Sequence, residues 1–333
     1  MTKMPDGGLA VITVSYGTSE LVLKALPALL DELGELDQSH VFLIDNLSPN
    51  DDGAKLAKGV EKLEVEGVTF IQSPVNGGFA AGNNLGFRAI AERGWAPEAV
   101  LLLNPDAEVR PGAISEMLRV LRATPSAGFV GPRLENTDGT TWVGAFTFPT
   151  LASEVFTALG LDVFARHFRP TIPDTDIPTR ADWITGTATL IRYETLLAIG
   201  EMDQSYFLYY EEVDYMLAGA RAGWESWHAP DALVRHIAGA ATGIVEKNVR
   251  QGRMPDYWFQ SWARYFSKNH GAGYARLTAA FLLIAMLLGD LQRWIRGRHA
   301  PRPQRYYLDF IQKILFSRLS PPPASDRAQH IPK

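Results

Sequence analysis

The sequence near the N-terminus runs Leu9-Ala10-Val11-Ile12-Thr13-Val14-Ser15, an almost unbroken apolar stretch. Such a stretch predicts a strand buried on both faces, which is typical of a parallel sheet with helices on each side. A helical pattern over Ser19–Leu33 follows, and Val41–Asp45 repeats the apolar strand pattern. A strand, a helix and a second buried strand in this order predict a right-handed crossover between parallel strands.

The alternation of strands and helices continues through the first half of the chain. Further strands are predicted at Val68–Gln72, Val100–Leu103 and Phe129–Val130, and further helices at Phe79–Arg93 and Pro111–Ala123. This order predicts an α/β fold with a Rossmann-like, mostly parallel sheet flanked by helices.

The second half of the chain has a less regular pattern. Thr147–Arg180 contains several prolines and predicts a variable connection. The remaining patterns predict a strand at Trp183–Arg192, a loop with a short strand at Ala229–His236, and helices at Tyr210–Ala222, Tyr257–His270 and Ala275–Ile295.

Composition narrows the class of protein. The chain has 333 residues, no cysteine and a net charge of −5, which excludes disulfides and does not favour nucleic-acid binding. Between Ser261 and Ser320, ten Lys and Arg residues stand against two acids. A basic segment on an acidic body predicts an anionic surface as a partner. Met1–Gly8 lacks the basic and apolar regions of a signal peptide, so we expect the body of the chain in the cytoplasm.

Two common nucleotide-binding motifs do not occur. Val14-Ser15-Tyr16-Gly17-Thr18 follows the first strand where a dinucleotide enzyme has G-x-G-x-x-G, and no G-x-x-x-x-G-K-[ST] is present. Polar residues nevertheless follow three predicted strands, namely Asp45, Asn76-Gly77-Gly78 and Asp106. Ligands of open parallel sheets bind at these carboxyl ends, so the residues mark the expected site. By itself, the Asn-Gly-Gly stretch is equally well explained as a turn with a helix N-terminus.

Taken together, these segments resemble the inverting family 2 glycosyltransferases with the GT-A fold, and most of all their rhamnosyltransferase-like branch. The matching stretches occur in the family's order over Ala10–Gly243. They are Val14-Ser15-Tyr16, Asp45-Asn46-Leu47-Ser48, Asn76 to Asn84, Leu103-Asn104-Pro105-Asp106, Trp183-Ile184-Thr185-Gly186, Phe207 to Asp214 and Val234-Arg235-His236.

The resemblance implies a nucleotide-sugar donor, dTDP- or UDP-linked, with Asp45 accepting a hydrogen bond from N3–H of the pyrimidine. Ionised carboxylates are strong acceptors and do not suit cytosine at that position. The other substrate-binding residues implied are Ser15, Tyr16, Asn76, Gly78, Phe79, Asn83, Asn104, Trp183 and Gly186. Trp183 is expected either to stack on a sugar or to belong to the core.

The resemblance also implies a divalent cation, Mg²⁺ or Mn²⁺, held by Asp106 and His236. Hard oxygen ligands suit these ions, which often keep phosphates and water as further ligands. The family's D-x-D motif is Asn104-Pro105-Asp106 here, so Asp106 provides the only carboxylate of that motif.

An inverting transfer needs a base that removes the proton of the acceptor hydroxyl. The resemblance assigns this role to Glu212, although the family commonly has Asp at that position. Glu211 and Asp214 remain alternatives, because an acidic cluster at a helix start is also an ordinary structural feature.

The C-terminal part is expected to contact a membrane surface. Leu277–Gly289 has no charged residue, is too short to span a bilayer, and precedes Arg293, Trp294 and Arg296. Core packing is the alternative for this helix. We therefore expect a catalytic domain over 1–245, a basic helical segment over 246–320, peripheral on the inner face of the cytoplasmic membrane, and a disordered tail over 321–333.

The expected function is transfer of a sugar, with L-rhamnose as the first choice, to a glycan or lipid-linked acceptor in cell-envelope polysaccharide synthesis. Galactofuranosyl or another hexosyl transfer from a UDP-sugar is the alternative within the same class. A sugar-nucleotide pyrophosphorylase is disfavoured because Tyr16-Gly17-Thr18-Ser19 lacks a basic residue. A non-catalytic, glycan-binding relative remains open because Glu212 departs from the usual Asp.

Overall fold

A central sheet organises the catalytic half of the protein. The computed structural model describes residues 7–160, 171–237, 252–298 and 302–316. The strands are β1 (Leu9–Ser15), β2 (Ser39–Asp45), β3 (Val68–Gln72), β4 (Ala99–Leu103), β5 (Ala107–Val109), β6 (Ala127–Glu135), β7 (Thr141–Val143), β8 (Ala145–Phe146), β9 (Thr179–Ala181), β10 (Trp183–Ile184), β11 (Ala188–Arg192) and β12 (Glu225–His236).

Helices cover both faces of this sheet and form the C-terminal segment. They are α1 (Ser19–Gly34), α2 (Asp52–Leu63), α3 (Gly78–Glu92), α4 (Ala113–Ala123), α5 (Leu151–Leu159), α6 (Tyr193–Ile199), α7 (Glu211–Arg221), α8 (Asp256–His270), α9 (Ala272–Ile295) and α10 (Tyr306–Phe310). A short π-helix, Ile311–Leu315, follows α10.

The strands follow the order β3-β2-β1-β4-β11-β6-β12-β5, with β7 paired to β6 and β9 to β12. Strands β3, β2, β1 and β4 are parallel, so their carboxyl ends lie side by side. Strand β11 runs antiparallel to β4, with Ala188 opposite Leu103, so the turn before β11 lies at the same edge. The predicted α/β sheet is thereby confirmed, and this edge collects the expected site residues.

The two faces of β1 belong to different cores, which explains its unbroken apolar run. Leu9 and Val11 pack on the side of α1 and α4, whereas Ala10 and Ile12 pack on the side of α3. Period-2 alternation along a strand sends neighbouring side chains to opposite faces, so a sheet covered on both sides needs apolar residues at every position.

The C-terminal helices share a third core with the catalytic half. Trp262 and Phe266 of α8 and Phe310 of α10 are buried with Tyr206 and Val213, which flank the start of α7. The boundary expected at 245/246 lies outside the described residues, as does the tail over 321–333. Within the described part, the helical segment is packed onto the catalytic half through buried aromatic rings.

Several sequence predictions were wrong in detail. The strand expected over Trp183–Arg192 is two strands, β10 and β11, because Thr185–Thr187 turns between them. The connection over Thr147–Arg180 contains the helix α5, which begins at a reciprocal cap between Thr150 and Ser153. Helix α2 was not predicted.

The uncharged run Leu277–Gly289 was expected to be too short to span a bilayer, and it lies within helix α9. This helix has 24 residues and is, among the described residues, the one helix long and apolar enough to do so. It is also packed along one side, as described below.

Candidate active site

Asp45 ends β2 at the carboxyl edge of the sheet and is buried there. Its Oδ2 accepts hydrogen bonds from the backbone N–H of Ser48 at 3.0 Å and from Nε2 of Gln72 at 2.6 Å. Its Oδ1 is buried without a partner among the described residues. Leaving a buried acceptor unpaired is costly, so this oxygen is suited to accept an N–H from a ligand.

The Asn-Gly-Gly loop is held by Asn46, which is buried beside Asp45. Nδ2 of Asn46 donates to Oδ1 of Asn76 at 3.0 Å and to the backbone oxygen of Gly78 at 3.1 Å. Gly78 has φ +80°, and a Cβ there would lie 1.9 Å from the backbone oxygen of Phe207. Asn76 and Gly78, predicted to bind substrate, thus also fix this loop against the chain that leads into α7.

Three other predicted substrate-binding residues lie at the same edge with different surroundings. Ser15 is buried, and its Oγ pairs with Oγ1 of Thr18 at 2.9 Å. Tyr16 is 40% exposed directly after β1. Nδ2 of Asn83 donates to the backbone oxygen of Phe79 at 3.0 Å, so this amide is occupied within α3. Tyr16 is therefore the most accessible of the three.

Asp106 and His236 meet across two paired strands. Strand β5 pairs with β12, with Ala107 opposite His236, and this pairing brings Oδ1 of Asp106 to 3.4 Å from Nε2 of His236. Oδ1 of Asp106 is buried and has no hydrogen-bond partner among the described residues. The backbone N–H of Asn104 donates to Thr187 at 2.9 Å and so holds this loop to the turn before β11.

The arrangement fits a divalent cation with few protein ligands. A carboxylate oxygen and an imidazole nitrogen face each other, and a cation between them would satisfy the unpaired oxygen of Asp106. Within the described ranges, no group of three or more His, Asp or Glu side chains is placed to hold a metal. A cation here would therefore need further ligands from phosphate oxygens or water.

Glu211 and Glu212 begin α7 as adjacent carboxylic acids. Oε2 of each is buried without a hydrogen-bond partner among the described residues. Burial raises the pKa of Glu211 well above its usual value, and the charge of Glu212 adds to this. Burial also raises the pKa of Glu212, while the backbone amides of Val213 and Gly186 offset part of the effect. A carboxyl with a raised pKa is a stronger base than an exposed one.

The turn before α7 fixes the position of Glu211 and Glu212. Tyr209 and Tyr210 both have left-handed backbone conformations, with φ of 70° and 68°. This conformation costs a residue with a side chain about 1–2 kcal/mol. Gly186 lies opposite, where a Cβ would stand 3.9 Å from Oε1 of Glu212 and 3.5 Å from Cζ of Phe79. The strained turn thus places Glu212 next to the predicted residue Gly186, which also lies close to Phe79.

Asp214, the third candidate base, is used within the fold. Its Oδ1 accepts from the hydroxyl of Tyr206 at 3.2 Å and from Nδ2 of Asn269 at 2.7 Å. Its Oδ2 accepts from Nζ of Lys268 at 2.5 Å. These bonds tie α7 to α8 and occupy both oxygens, so Asp214 is poorly placed to take a proton from a substrate.

Glu212 lines a cavity of about 320 Å³. The cavity has walls from β10 (Trp183), from α5 (Glu154) and from α8 (Trp258). Trp183 stacks on Phe146 with ring centroids 4.3 Å apart. Asp45 and Asp106 do not line this cavity, and Asp106 instead borders a recess of about 20 Å³ beside Lys24. The candidate site therefore has two parts, the sheet edge with Asp106 and His236 and the cavity with Glu212.

Comparison with known proteins identifies the family. Residues 5–253 match the family model described as "Glycosyltransferase like family 2". The chain belongs to glycosyltransferase family 2. A relative in Mycobacterium tuberculosis, "N-acetylglucosaminyl-diphospho-decaprenol L-rhamnosyltransferase", is 30% identical over 71% of this chain and 78% of its own length. "Rhamnosyltransferase WbbL" of Escherichia coli K12 is 24% identical over 68% of this chain and 83% of its own.

Solved structures agree with the fold of this family 2 enzyme. The mannosyltransferase PcManGT from Pyrobaculum calidifontis, solved with GDP-Man and Mn²⁺, covers 95% of this chain and 89% of its own, with a TM-score of 0.52 and 14% identity. The predicted GT-A fold is thereby confirmed, and the family match confirms the predicted glycosyltransferase class. This glycosyltransferase transfers a sugar from a nucleotide-sugar donor.

Sequence reasoning missed several residues that lie around the candidate site. Gln72 donates to Asp45, and Thr18 pairs with Ser15, yet both occur as ordinary polar residues at element ends. Glu154 lies in the stretch expected to be a variable connection. The sequence offered one signal for the helix that carries Glu154, namely Thr150 and Ser153, whose hydroxyls form a reciprocal cap at its start.

Proposed function

We propose that this glycosyltransferase inverts the anomeric centre of its donor and that the donor is dTDP-L-rhamnose. The observation that carries the reaction is the position of Glu212, whose carboxyl lines the cavity and lies next to Gly186. The choice of rhamnose is supported by the two relatives named as rhamnosyltransferases.

In the proposed reaction, Glu212 takes the proton of an acceptor hydroxyl while that oxygen attacks the anomeric carbon of the donor. The bond from this carbon to the diphosphate oxygen breaks on the opposite side, and the nucleotide diphosphate leaves. Burial raises the pKa of Glu212, which makes it a stronger base than an exposed glutamate.

Donor recognition is proposed to begin at Asp45. Its unpaired Oδ1 is supported as the acceptor for N3–H of thymine or uracil, because Ser48 and Gln72 already occupy Oδ2. Asp106 and His236 are proposed to hold Mg²⁺ or Mn²⁺ against the donor diphosphate. When bound, the cation would offset the negative charge that grows on the departing diphosphate.

A donor comparison tests this proposal. Purified protein is incubated with dTDP-rhamnose, UDP-galactofuranose and common UDP-hexoses, and release of nucleotide diphosphate and transfer to acceptor are measured. Transfer from dTDP-rhamnose with an inverted anomeric centre by NMR is expected. Preference for a UDP-sugar would replace rhamnose in the proposal, and binding without turnover of any donor would make the protein a non-catalytic relative.

The acceptor is proposed to be a lipid-linked glycan of the cell envelope. The printed name of the Mycobacterium tuberculosis relative describes such an acceptor, a sugar joined through diphosphate to decaprenol. A short-chain prenyl diphosphate carrying N-acetylglucosamine is therefore the first acceptor to assay.

Helix α9 supports a location at an anionic membrane surface. Its buried face packs on α5 and α8 through small and apolar residues, including Ala279, Met286 and Gly289. Its other face exposes large apolar side chains at alternating four- and three-residue spacing, and each is about half exposed or more: Leu277, Phe281, Ile284, Leu288, Leu291 and Ile295. Arg296 and Arg298 are exposed at its end beside Trp294. An apolar face bordered by Arg and Trp is typical of helices that lie in the membrane interface.

Liposome flotation tests this location. We expect the full chain to float with vesicles containing phosphatidylglycerol at low salt and to be released at high salt, since the basic contribution is electrostatic. Phe281→Glu with Leu288→Glu should abolish flotation, whereas Leu197→Glu, at a 44% exposed leucine of α6, should not. Flotation unaffected by the α9 pair, or absent in wild type, would contradict this location.

A further inference from the structure

We propose that the 320 Å³ cavity beside Glu212 is the acceptor site and that Glu154 binds a hydroxyl of the acceptor's terminal sugar. This inference rests on the proposed transferase function and extends it to a residue outside the family motifs. The cavity volume falls within the roughly 300–1,000 Å³ typical of small-molecule sites.

The cavity has the composition of a carbohydrate site. Three of its walls carry aromatic rings, from Trp183, Tyr209 and Trp258, and Glu212 and Glu154 supply carboxyl groups. Aromatic faces suit the C–H side of a sugar ring, and a few fixed polar groups in an apolar lining give orientation. Since Glu212 is the proposed base, a sugar in this cavity would have a hydroxyl near the group that removes its proton.

One carboxyl oxygen of Glu154 can accept a hydrogen bond from a ligand. One oxygen, Oε2, accepts from Nε1 of Trp262 at 3.0 Å, and the part of the chain that the structure describes provides no hydrogen bond to the other. Burial raises the pKa of this carboxyl, and the Trp262 bond only partly offsets that effect. A buried carboxyl group with an unpaired oxygen is stabilised by a hydrogen bond to a hydroxyl, because a hydroxyl can both donate and accept.

The position of Glu154 also separates it from the donor half of the site. It lies on α5, which packs against α9, and its bonding partner belongs to α8. Asp45 and His236 end strands β2 and β12, Asp106 lies in the turn between β4 and β5, and none of the three lines this cavity. A substitution at Glu154 should therefore change acceptor binding while leaving donor binding intact.

The test compares acceptor and donor parameters in full-length variants, with N-acetylglucosaminyl diphosphate on a short prenyl chain as the acceptor probe. Glu154→Ala is expected to raise the acceptor KM about tenfold or more, in line with about 1.4 kcal/mol for a lost hydrogen bond. The donor KM and the slow hydrolysis of donor by water should stay within about twofold of wild type. Glu154→Gln, which keeps an oxygen for Trp262 and a polar group in the cavity, should recover part of the affinity.

Two controls separate recognition from a structural role. Trp262→Phe removes the indole N–H but keeps the Glu154 carboxyl, so it should affect acceptor KM less than Glu154→Ala does. Thr157→Trp places a large ring at an exposed position of the cavity wall and should block the acceptor without lowering the melting temperature. Tryptophan fluorescence, from Trp183 and Trp258 in the wall, reports probe binding without turnover.

The outcomes distinguish the two proposals. Absence of transfer from every donor by wild type contradicts the proposed function, whereas probe binding by fluorescence can still support the cavity. Normal transfer by wild type with an unchanged acceptor KM in Glu154→Ala and Thr157→Trp overturns the acceptor-site proposal. If Trp262→Phe and Glu154→Ala raise the acceptor KM equally, the proposed role of Glu154 is also overturned. Both substitutions would then act by disturbing the local packing and not by removing a contact to the acceptor.

Discussion

Gly78 lies directly against Phe207, since a Cβ at Gly78 would stand 1.9 Å from the backbone oxygen of Phe207. The next residue, Phe79, donates its backbone N–H to that same oxygen at 3.0 Å. The loop after β3 and the turn before α7 are therefore joined by backbone alone. This contact connects the loop held by Asn46 to the turn that positions Glu212.

Gly78→Ala should destabilise the protein severely and abolish transfer. The added Cβ would overlap the backbone oxygen of Phe207, and a backbone atom cannot move aside as the end of a side chain can. The positive φ alone costs about 1–2 kcal/mol, and the clash adds to it. Gly112→Ala is the matched control, with φ +79° and no atom within 4 Å of the new Cβ. Urea unfolding of both variants measures the difference, and equal losses of stability would show that the Phe207 contact is unimportant.

Glu212→Gln should lower kcat by about 10²- to 10⁴-fold, the usual contribution of a general base. Affinity for dTDP, measured by calorimetry, should remain near the wild-type value because the amide keeps the shape of the side chain. Glu212→Asp tests the family's usual residue at this position and should retain more activity than Glu212→Gln. Substantial turnover by Glu212→Gln would move the base to Glu211, since both oxygens of Asp214 are already bonded.

Removal of divalent cations should abolish transfer and weaken dTDP binding. Asp106→Asn and His236→Gln should each raise the Mn²⁺ concentration needed for half-maximal stabilisation in a thermal-shift titration with dTDP. Glu108→Gln changes a nearby carboxyl that instead faces Arg235 at 3.8 Å, and it should leave that concentration unchanged. Full activity in EDTA, or metal stabilisation unaffected by Asp106→Asn, would contradict the metal assignment.

Stability should fall as pH rises because of the glutamate pair. Burial raises the pKa of both carboxyls above the ordinary value of 4.5, so their favourable neutral forms are fully present below that pH and are lost as pH rises through the raised values. Glu211→Gln stays neutral, so its melting temperature should exceed that of wild type by a margin that widens from about pH 5 to about pH 8.

The control for this measurement is Glu61→Gln, at an exposed position of α2. It should shift the melting temperature little and equally at both pH values. A gap between Glu211→Gln and wild type that stays constant with pH would show that the pair does not titrate in this range.

The strands and their polar ends were predictable from sequence, whereas the cavity was not. Continuous apolar runs locate β1 and β2, and the parallel arrangement then places Asp45 and Asp106 at one edge. Helical spacing alone does not say whether Glu212 or Asp214 faces a ligand. That choice depends on Lys268 and Asn269, which occupy the Asp214 carboxylate from more than fifty positions away in sequence.

Glu154 shows why the remainder was out of reach. Its helix lies in a proline-containing stretch, and the partner of its carboxyl, Trp262, lies 108 residues away. Long-range pairs of this kind have no local periodicity or turn chemistry to reveal them. The cavity exists only because β10, α5, α7 and α8 are brought together by the fold.

The shared aromatic core has a consequence for how relatives diverge. The cavity takes one wall from α5 and another from α8, while Asp45 at the end of β2 and Asp106 in the turn before β5 do not border it, so substitutions in the two helices need not disturb the proposed donor site. Drift in the outer helices would alter which molecule receives the sugar and leave untouched the machinery that supplies it.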